Sequence, residues 1–229
     1  MKLFAGITSS HATSARRADV MATWAQDWID ANVGPLVFVV STQQPSKHYK
    51  SLADRWAYDP DNHLLHTATP DSYAYNGIRF HEMLKWAYDT FDPDFYWTAD
   101  DDVYTAVPKL LAYPFQQHDY VGQFCRGQGG QYYPYAAGGG GTMFSRKAVM
   151  AMLCDPLLER QLQEHNAISD MLIGLSMKHA GIEFASSLCF YSQPDKQPLA
   201  SNDLITCHYV RGEAMHTMHR IYKESLGKP

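Results

Sequence analysis

The chain has few cysteines, no long apolar run, no cluster of basic residues and no Asn-x-Ser/Thr sequon. Its four cysteines, Cys125, Cys154, Cys189 and Cys207, lack the short paired spacing of a zinc site. They read as buried thiols, and a disulfide stays open. No apolar stretch reaches the roughly 20 residues of a membrane-spanning helix. The opening Met1-Lys2-Leu3-Phe4-Ala5-Gly6-Ile7 is too short for a secretory signal and runs straight into a core-type strand. None of Asn32, Asn62, Asn76, Asn166 or Asn202 begins a glycosylation site. Together these absences make a cytoplasmic protein the expectation. A net charge of -5, with no run of five or more positive residues, removes the electrostatic footprint of nucleic-acid binding. With 45% apolar residues, 229 residues suffice for one globular domain, 1–229, around a single core.

What is present centres on Phe95-Tyr96-Trp97-Thr98-Ala99-Asp100-Asp101-Asp102, an aromatic strand-like run ending in three carboxylates. Neighbouring carboxylates raise each other's pKa unless a hard cation with a preference for oxygen ligands neutralises them. On an extended segment, alternation sends Asp100 and Asp102 into one cleft while Asp101 turns away. The end of a strand is also where open α/β sheets bind ligands. A solvated acidic turn is the plainer reading, and the apolar strand feeding the triplet weighs against it.

The rest alternates strand and helix. Residues 3–9 read as a first strand and 16–32 as one helix, with Val20, Trp24 and Trp28 on its apolar face. Leu36-Val37-Phe38-Val39-Val40 is a buried strand of the parallel type. Residues 41–57 are polar with a short helix, 64–66 form a third strand, and a helix over 75–91 leads into the acidic strand. A short helix over 107–111 and a strand over 119–124 follow. Gly138-Gly139-Gly140-Gly141 closes a stretch rich in Gly, Gln and Tyr and permits close backbone approach to a ligand, or is a plain flexible loop. It lacks the Walker pattern and the dinucleotide-binding spacing. Thr142-Met143-Phe144 re-enters the core, Ser145 caps a helix to Cys154, and Asp155-Pro156 stops it. A helix over 169–180, strands over 182–185 and 204–210, and a helix after Gly212 complete the chain. On that last helix His216 and His219 read as solvated neighbours. The pattern predicts an α/β fold with a mostly parallel mixed central sheet flanked by helices.

Five blocks in order then carry a resemblance: residues 16–26, ending Ala22-Thr23-Trp24-Ala25-Gln26; Ala99-Asp100-Asp101-Asp102; residues 138–145; Ser169-Asp170-Met171-Leu172-Ile173-Gly174; and Ile205-Thr206-Cys207-His208-Tyr209-Val210. The sequence resembles the fringe-like and beta-1,3-galactosyltransferase family, inverting metal-dependent glycosyltransferases of GT-A fold, and within it the core 1 galactosyltransferase branch. The resemblance implies UDP-galactose as donor and a glycan or glycoconjugate acceptor. It implies that Asp102 and His208 bind Mn2+, with Mg2+ as the alternative, and that Asp170 is the catalytic base. It implies that Asp100 and Asp101 contact the nucleotide sugar or metal-bound water, and that Arg16, Arg79 and Thr8 face the donor. The chain departs from the family at Ser169-Asp170, where two acids are usual.

The residues themselves are compatible with those roles and with plainer ones. A diphosphate leaving group needs a Lewis acid, and an attacking hydroxyl needs a base. Asp170 is also an ordinary first-turn acid favoured by the helix dipole, Arg79 a helix-surface cation, and His208 a strand histidine. Gly139 and Gly140 allow close approach to a sugar. Tyr132, Tyr133 and Tyr135 offer aromatic surface to an acceptor ring or pack in the core. An aspartate-nucleophile phosphohydrolase fits less well, because Thr105 falls one position late and the triplet follows about two βα units. A non-catalytic glycan- or nucleotide-sugar-binding protein on the same fold is the other alternative.

Overall fold

A computed structural model of the protein describes residues 1–41, 56–126, 133–164, 169–192 and 204–226. Its main sheet begins with β1 (Leu3–Thr8) and β2 (Leu36–Ser41), both buried along their whole length. The edge pair β3 (Trp56–Asp59) and β4 (Leu64–Thr67) follows, then β5 (Phe95–Asp100). The sheet is completed by β7 (Tyr120–Gly122), β10 (Thr142–Ser145) and β11 (Phe184–Ser186), in the spatial order β11-β7-β10-β5-β1-β2-β4-β3. Parallel pairing joins β1 to β2 and β5, β2 to β4 and β7 to β11, while β10 and β3 run antiparallel to their neighbours. The mixed, mostly parallel sheet expected of the sequence is the one observed.

Strands buried on both faces explain the unbroken apolar runs. Alternation sends Leu3, Ala5, Ile7 and Trp97 to one core and Phe4, Val37, Val39 and Tyr96 to the other. The first core is closed by α1 (Ser14–Met21), α2 (Trp24–Ala31), α4 (Val107–Ala112) and α8 (Glu213–Leu226). The second is closed by α3 (Asn76–Phe91), α5 (Arg146–Leu153), α6 (Pro156–Glu164) and α7 (Ser169–His179).

Several boundaries differ from the sequence reading. The single helix over 16–32 is two, because Thr23 leaves helical geometry and its hydroxyl donates to the Asp19 carbonyl at 2.7 Å. The break turns Trp24 inward, where its indole N–H donates to the Val103 carbonyl at 2.8 Å. Pro156 stops α5 and also starts α6, since proline is tolerated in a first turn. The strand over 119–124 is interrupted at Gln123, leaving β8 (Phe124–Arg126) to pair with β9 (Pro134–Ala136). The strand over 204–210 shrinks to β13 (Thr206–Cys207), between β6 (Tyr104–Thr105) and β12 (Phe190–Tyr191). The short helix expected within 41–57 falls mostly outside the described residues, and β3 occupies the end of that stretch. The cysteines are free thiols, but only Cys207 is buried and Cys154 is exposed. His216 is not merely solvated: its Nε2 lies 3.2 Å from Asp19, which ties α8 to α1. Among the described residues no helix is long and apolar enough to cross a membrane.

Candidate active site at the carboxyl edge of the sheet

A parallel pair of strands, two antiparallel pairings and the start of one helix assemble the site. Thr8 and Asp100 are register partners at the ends of the parallel strands β1 and β5, so they sit side by side at the carboxyl edge. Because β10 runs antiparallel to β5, its beginning lies at that same edge, and this brings Gly138–Gly140 beside Asp100. Antiparallel pairing of β13 with β6 carries His208 back over the acidic turn. Asp170 enters from the first turn of α7 and accepts the Gly138 N–H at 2.9 Å.

The three acids differ in their partners. Strand β5 ends at Asp100, so a turn separates Asp101 from Asp102, closed by the Val103 N–H donating to the Asp100 carbonyl at 3.2 Å. Asp101 is buried against the loop after β1, accepting from Ser9 at 2.7 Å, from Thr13, and from Arg16 at 3.3 Å. Asp100, Asp102 and His208 each bring one ligand atom within 4.8 Å of the others. Asp101 makes its bonds to the loop after β1, yet it lines a cavity together with Asp100 and Asp102 and shares Arg16 with Asp102, so it is not turned out of the cleft as strand alternation predicts.

Electrostatics distinguish the two acids of the cluster. Burial, followed by the charges of Asp102 and Asp170, pushes the Asp100 carboxyl up to about 7. Burial would raise Asp102 too, but hydrogen bonds from His208 and Arg211 outweigh it and hold that carboxyl below its ordinary value. His208 Nδ1 lies 3.3 Å from the Ser192 carbonyl, which can only accept. Its Nε2 lies 3.2 Å from Asp102 Oδ1. Two electron-pair donors at that distance need a proton or a metal ion between them. A second ring nitrogen oriented by a backbone carbonyl is also the usual support of a metal-binding histidine. The donor set, two carboxylates and one imidazole, fits a divalent cation.

Two cavities meet at this cluster and share Thr8, Tyr73, Asn76, Asp100, His208 and Tyr209. One, of about 260 Å³, contains Gly138, Gly139 and Asp170. The other, of about 490 Å³, contains Arg16, Arg79, Asp101, Asp102 and Arg211. Arg79 is not a surface cation: it is 3% exposed and donates to Ser41 at 2.8 Å, Asp71 at 3.0 Å and Asn76 at 3.0 Å. Burial lowers its pKa, and Asp71 offsets part of that effect. Its Nε is buried without a hydrogen-bond partner among the described residues.

Gly139 and Gly140 do different things. A Cβ on Gly139 would lie 2.1 Å from His208 Cε1, so glycine there lets the imidazole approach the turn. Gly140 is outside the lining of both cavities and instead accepts the Thr206 hydroxyl on its carbonyl at 2.5 Å, binding the turn to β13. Tyr133 is buried, donates to the Met171 carbonyl at 2.9 Å and lines a separate cavity beside Gly174 and Lys178. Tyr132 lies outside the described residues.

Sequence reasoning missed Tyr73, Asn76, Tyr209 and Arg211. Tyr73 is 86% exposed at the cleft mouth. Tyr209 takes a left-handed φ of 60°, uncommon for an aromatic residue, and stacks on His208 at 3.7 Å between ring centroids. For Tyr209 and Arg211 the available signal was adjacency to His208, and Tyr73 and Asn76 carried none.

The sequence profile described as Fringe-like matches residues 62–210, well over half of the chain. The chain belongs to the Fringe-like family. Solved structures agree on the fold of this Fringe-like protein. A glycosyltransferase involved in glycosylation of the major capsid of PBCV-1 superposes with a TM-score of 0.51 at 10% identity, covering 95% of this chain and 99% of the other. The galactosyltransferase LgtC, solved with donor and acceptor sugar analogues, gives 0.51 at 13% identity, covering 99% and 97%. The apo-form glycosyltransferase GlyE of Streptococcus pneumoniae TIGR4 gives 0.53 at 11% identity, covering 99% and 63%. No curated protein matches by sequence. Family and fold together make the chain a glycosyltransferase of GT-A type.

Proposed function

We propose that this Fringe-like protein is a metal-dependent inverting transferase that moves a hexose, galactose in our reading, from a UDP-sugar to a hydroxyl of a glycan or glycoconjugate, forming a beta-1,3 linkage. The observation that carries the proposal is that Asp100, His208 and Asp170 line one cavity while Asp102 lines the adjoining one, and that Asp100, Asp102 and His208 cluster between them.

Asp102 and His208 would hold Mn2+, or Mg2+ in its place, with Asp100 completing the protein's share. A divalent cation there supplies positive charge to a departing diphosphate. Arg16, Arg79 and Thr8 line the larger cavity, the natural place for the nucleotide, and add fixed donors and charge. Asp101 contributes indirectly by gripping Ser9, Thr13 and Arg16. In the smaller cavity Asp170 takes the proton of the acceptor hydroxyl as its oxygen bonds to the anomeric carbon and the bond to the diphosphate breaks. The N–H of Gly138 holds that carboxylate in place. Gly139 leaves room for the His208 imidazole in the wall of that cavity, and the exposed Tyr73 offers the acceptor an aromatic face.

Calorimetry with UDP-galactose and Mn2+, paired with a transfer assay on a panel of glycoside acceptors, tests the division of roles. Asp102→Ala is expected to abolish metal-dependent donor binding. Asp170→Asn is expected to keep donor binding and lose transfer by about 10²–10⁴-fold. Equal loss of donor binding in both variants would refute the assignment, and donor binding without transfer to any acceptor in the unmodified protein would favour a non-catalytic binding protein.

A further inference from the structure

Arg211 has a position that the roles above leave unused. Its guanidinium grips Asp102 Oδ2 through Nε at 2.9 Å and a terminal nitrogen at 2.5 Å, while His208 faces the other oxygen. The backbone on either side is pinned: the Val210 N–H donates to the Asp102 carbonyl at 2.9 Å and the Gly212 N–H to Asp19 at 3.1 Å. The side chain is not pinned in the same way. It is 49% exposed, with its guanidinium carbon 5.8 Å from the centre of the Tyr209 ring, and it lines the larger cavity. Arg79, by contrast, is held by three buried or half-buried partners, and Arg16 is shared between Asp101 and Asp102.

A hard cation at Asp102 needs the carboxylate that this guanidinium holds, and two positive groups cannot share it without repulsion. A diphosphate in the larger cavity would present the planar guanidinium with a better-matched, more highly charged partner. We infer that Arg211 is a positioning residue that couples the two ligands: it competes with the cation at Asp102 until a nucleotide diphosphate draws its side chain away. Cation and nucleotide then raise each other's affinity by the same factor, as linkage requires. Direct contact between phosphate and metal adds coupling of its own, so the contribution of Arg211 is the difference between the unmodified protein and a variant. This inference rests on the metal-dependent donor site proposed above.

The test is Mn2+ binding followed by electron paramagnetic resonance of free Mn2+, with and without UDP, in the unmodified protein, R211A and R211K. Without UDP, R211A is expected to bind Mn2+ about tenfold more tightly, and the gain on adding UDP is expected to shrink about tenfold, within the range of measured site couplings. R211K keeps the charge but not the fork, and should fall between. A gain of affinity is not what a damaged fold produces. Unchanged Mn2+ affinity and unchanged UDP gain in R211A would overturn the inference while leaving the donor site intact, as would weaker Mn2+ binding without UDP. Failure of the unmodified protein to take up Mn2+ even with UDP would overturn the donor-site reading and this inference with it.

Discussion

Among individual residues, Asp100 bears the electrostatic cost of the site. It stands at the end of a buried strand with Asp102 and Asp170 nearby, and its carboxyl is pushed from 3.8 to about 7. An acid whose folded pKa is raised favours the folded state while it is protonated. That contribution is present below pH 3.8 and declines as pH rises to about 7, because the unfolded chain ionises freely over that window and the folded one does not. With chelator present, the melting temperature of the unmodified protein relative to Asp100→Asn is therefore expected to fall between about pH 4 and about pH 7. Thermal denaturation across that range checks it, and a flat difference would mean that neither burial nor the neighbouring charges raise the pKa of Asp100. Asp102 behaves oppositely, since His208 and Arg211 outweigh its burial. Two acids two positions apart in sequence thus acquire different protonation behaviour from their surroundings.

Among the elements, the turn Gly138–Gly140 joins the two halves of the site. It lies between the start of β10 and the imidazole of His208, and its Gly138 N–H holds Asp170. Gly139→Ala would place a methyl group 2.1 Å from His208 Cε1. The strain is confined to this corner, so secondary structure by circular dichroism should be unchanged, with overpacking costing about 1–3 kcal/mol. Mn2+ affinity should drop at least tenfold, measured by the same resonance experiment, because the imidazole must leave its place. The sequence singled out this glycine run but not the reason for Gly139. That reason is contact with a histidine 69 positions later, brought by β13. The split between α1 and α2 was hidden for a similar reason: Val20, Trp24 and Trp28 keep helical spacing across a break made by one threonine hydroxyl.

For the whole molecule, two cores above and below one sheet leave its carboxyl edge to carry the site, with two cavities that share Asp100 and His208 in their lining. Ligands that bind only this assembled edge should stabilise the entire fold. At a hundredfold excess over its dissociation constant, UDP-galactose with Mn2+ is expected to add about 2.7 kcal/mol, or roughly 5–10 °C in melting temperature for a chain of this size. Differential scanning fluorimetry measures it. Chelator should abolish the shift, and a shift of equal size without metal would separate nucleotide binding from the acidic cluster.

Local patterns were enough for the α/β class and for the strand that runs into Asp100, Asp101 and Asp102, whereas the grouping of Asp102, Asp170 and His208 came from the family resemblance of five sequence blocks. The first two depend on residue type and order: unbroken apolar runs demand burial on two faces, and adjacent carboxylates demand a counter-charge. Tertiary structure alone decided the antiparallel turn of β10, the grip of Asp101 on Ser9 and Thr13, and the burial of Arg79. It also moved Tyr133 away from the cleft and placed Tyr73, Tyr209 and Arg211 at it. Each of these depends on contacts between residues far apart in the chain, whose partners are chosen by how the elements pack and not by any pattern along the strand or helix that carries them.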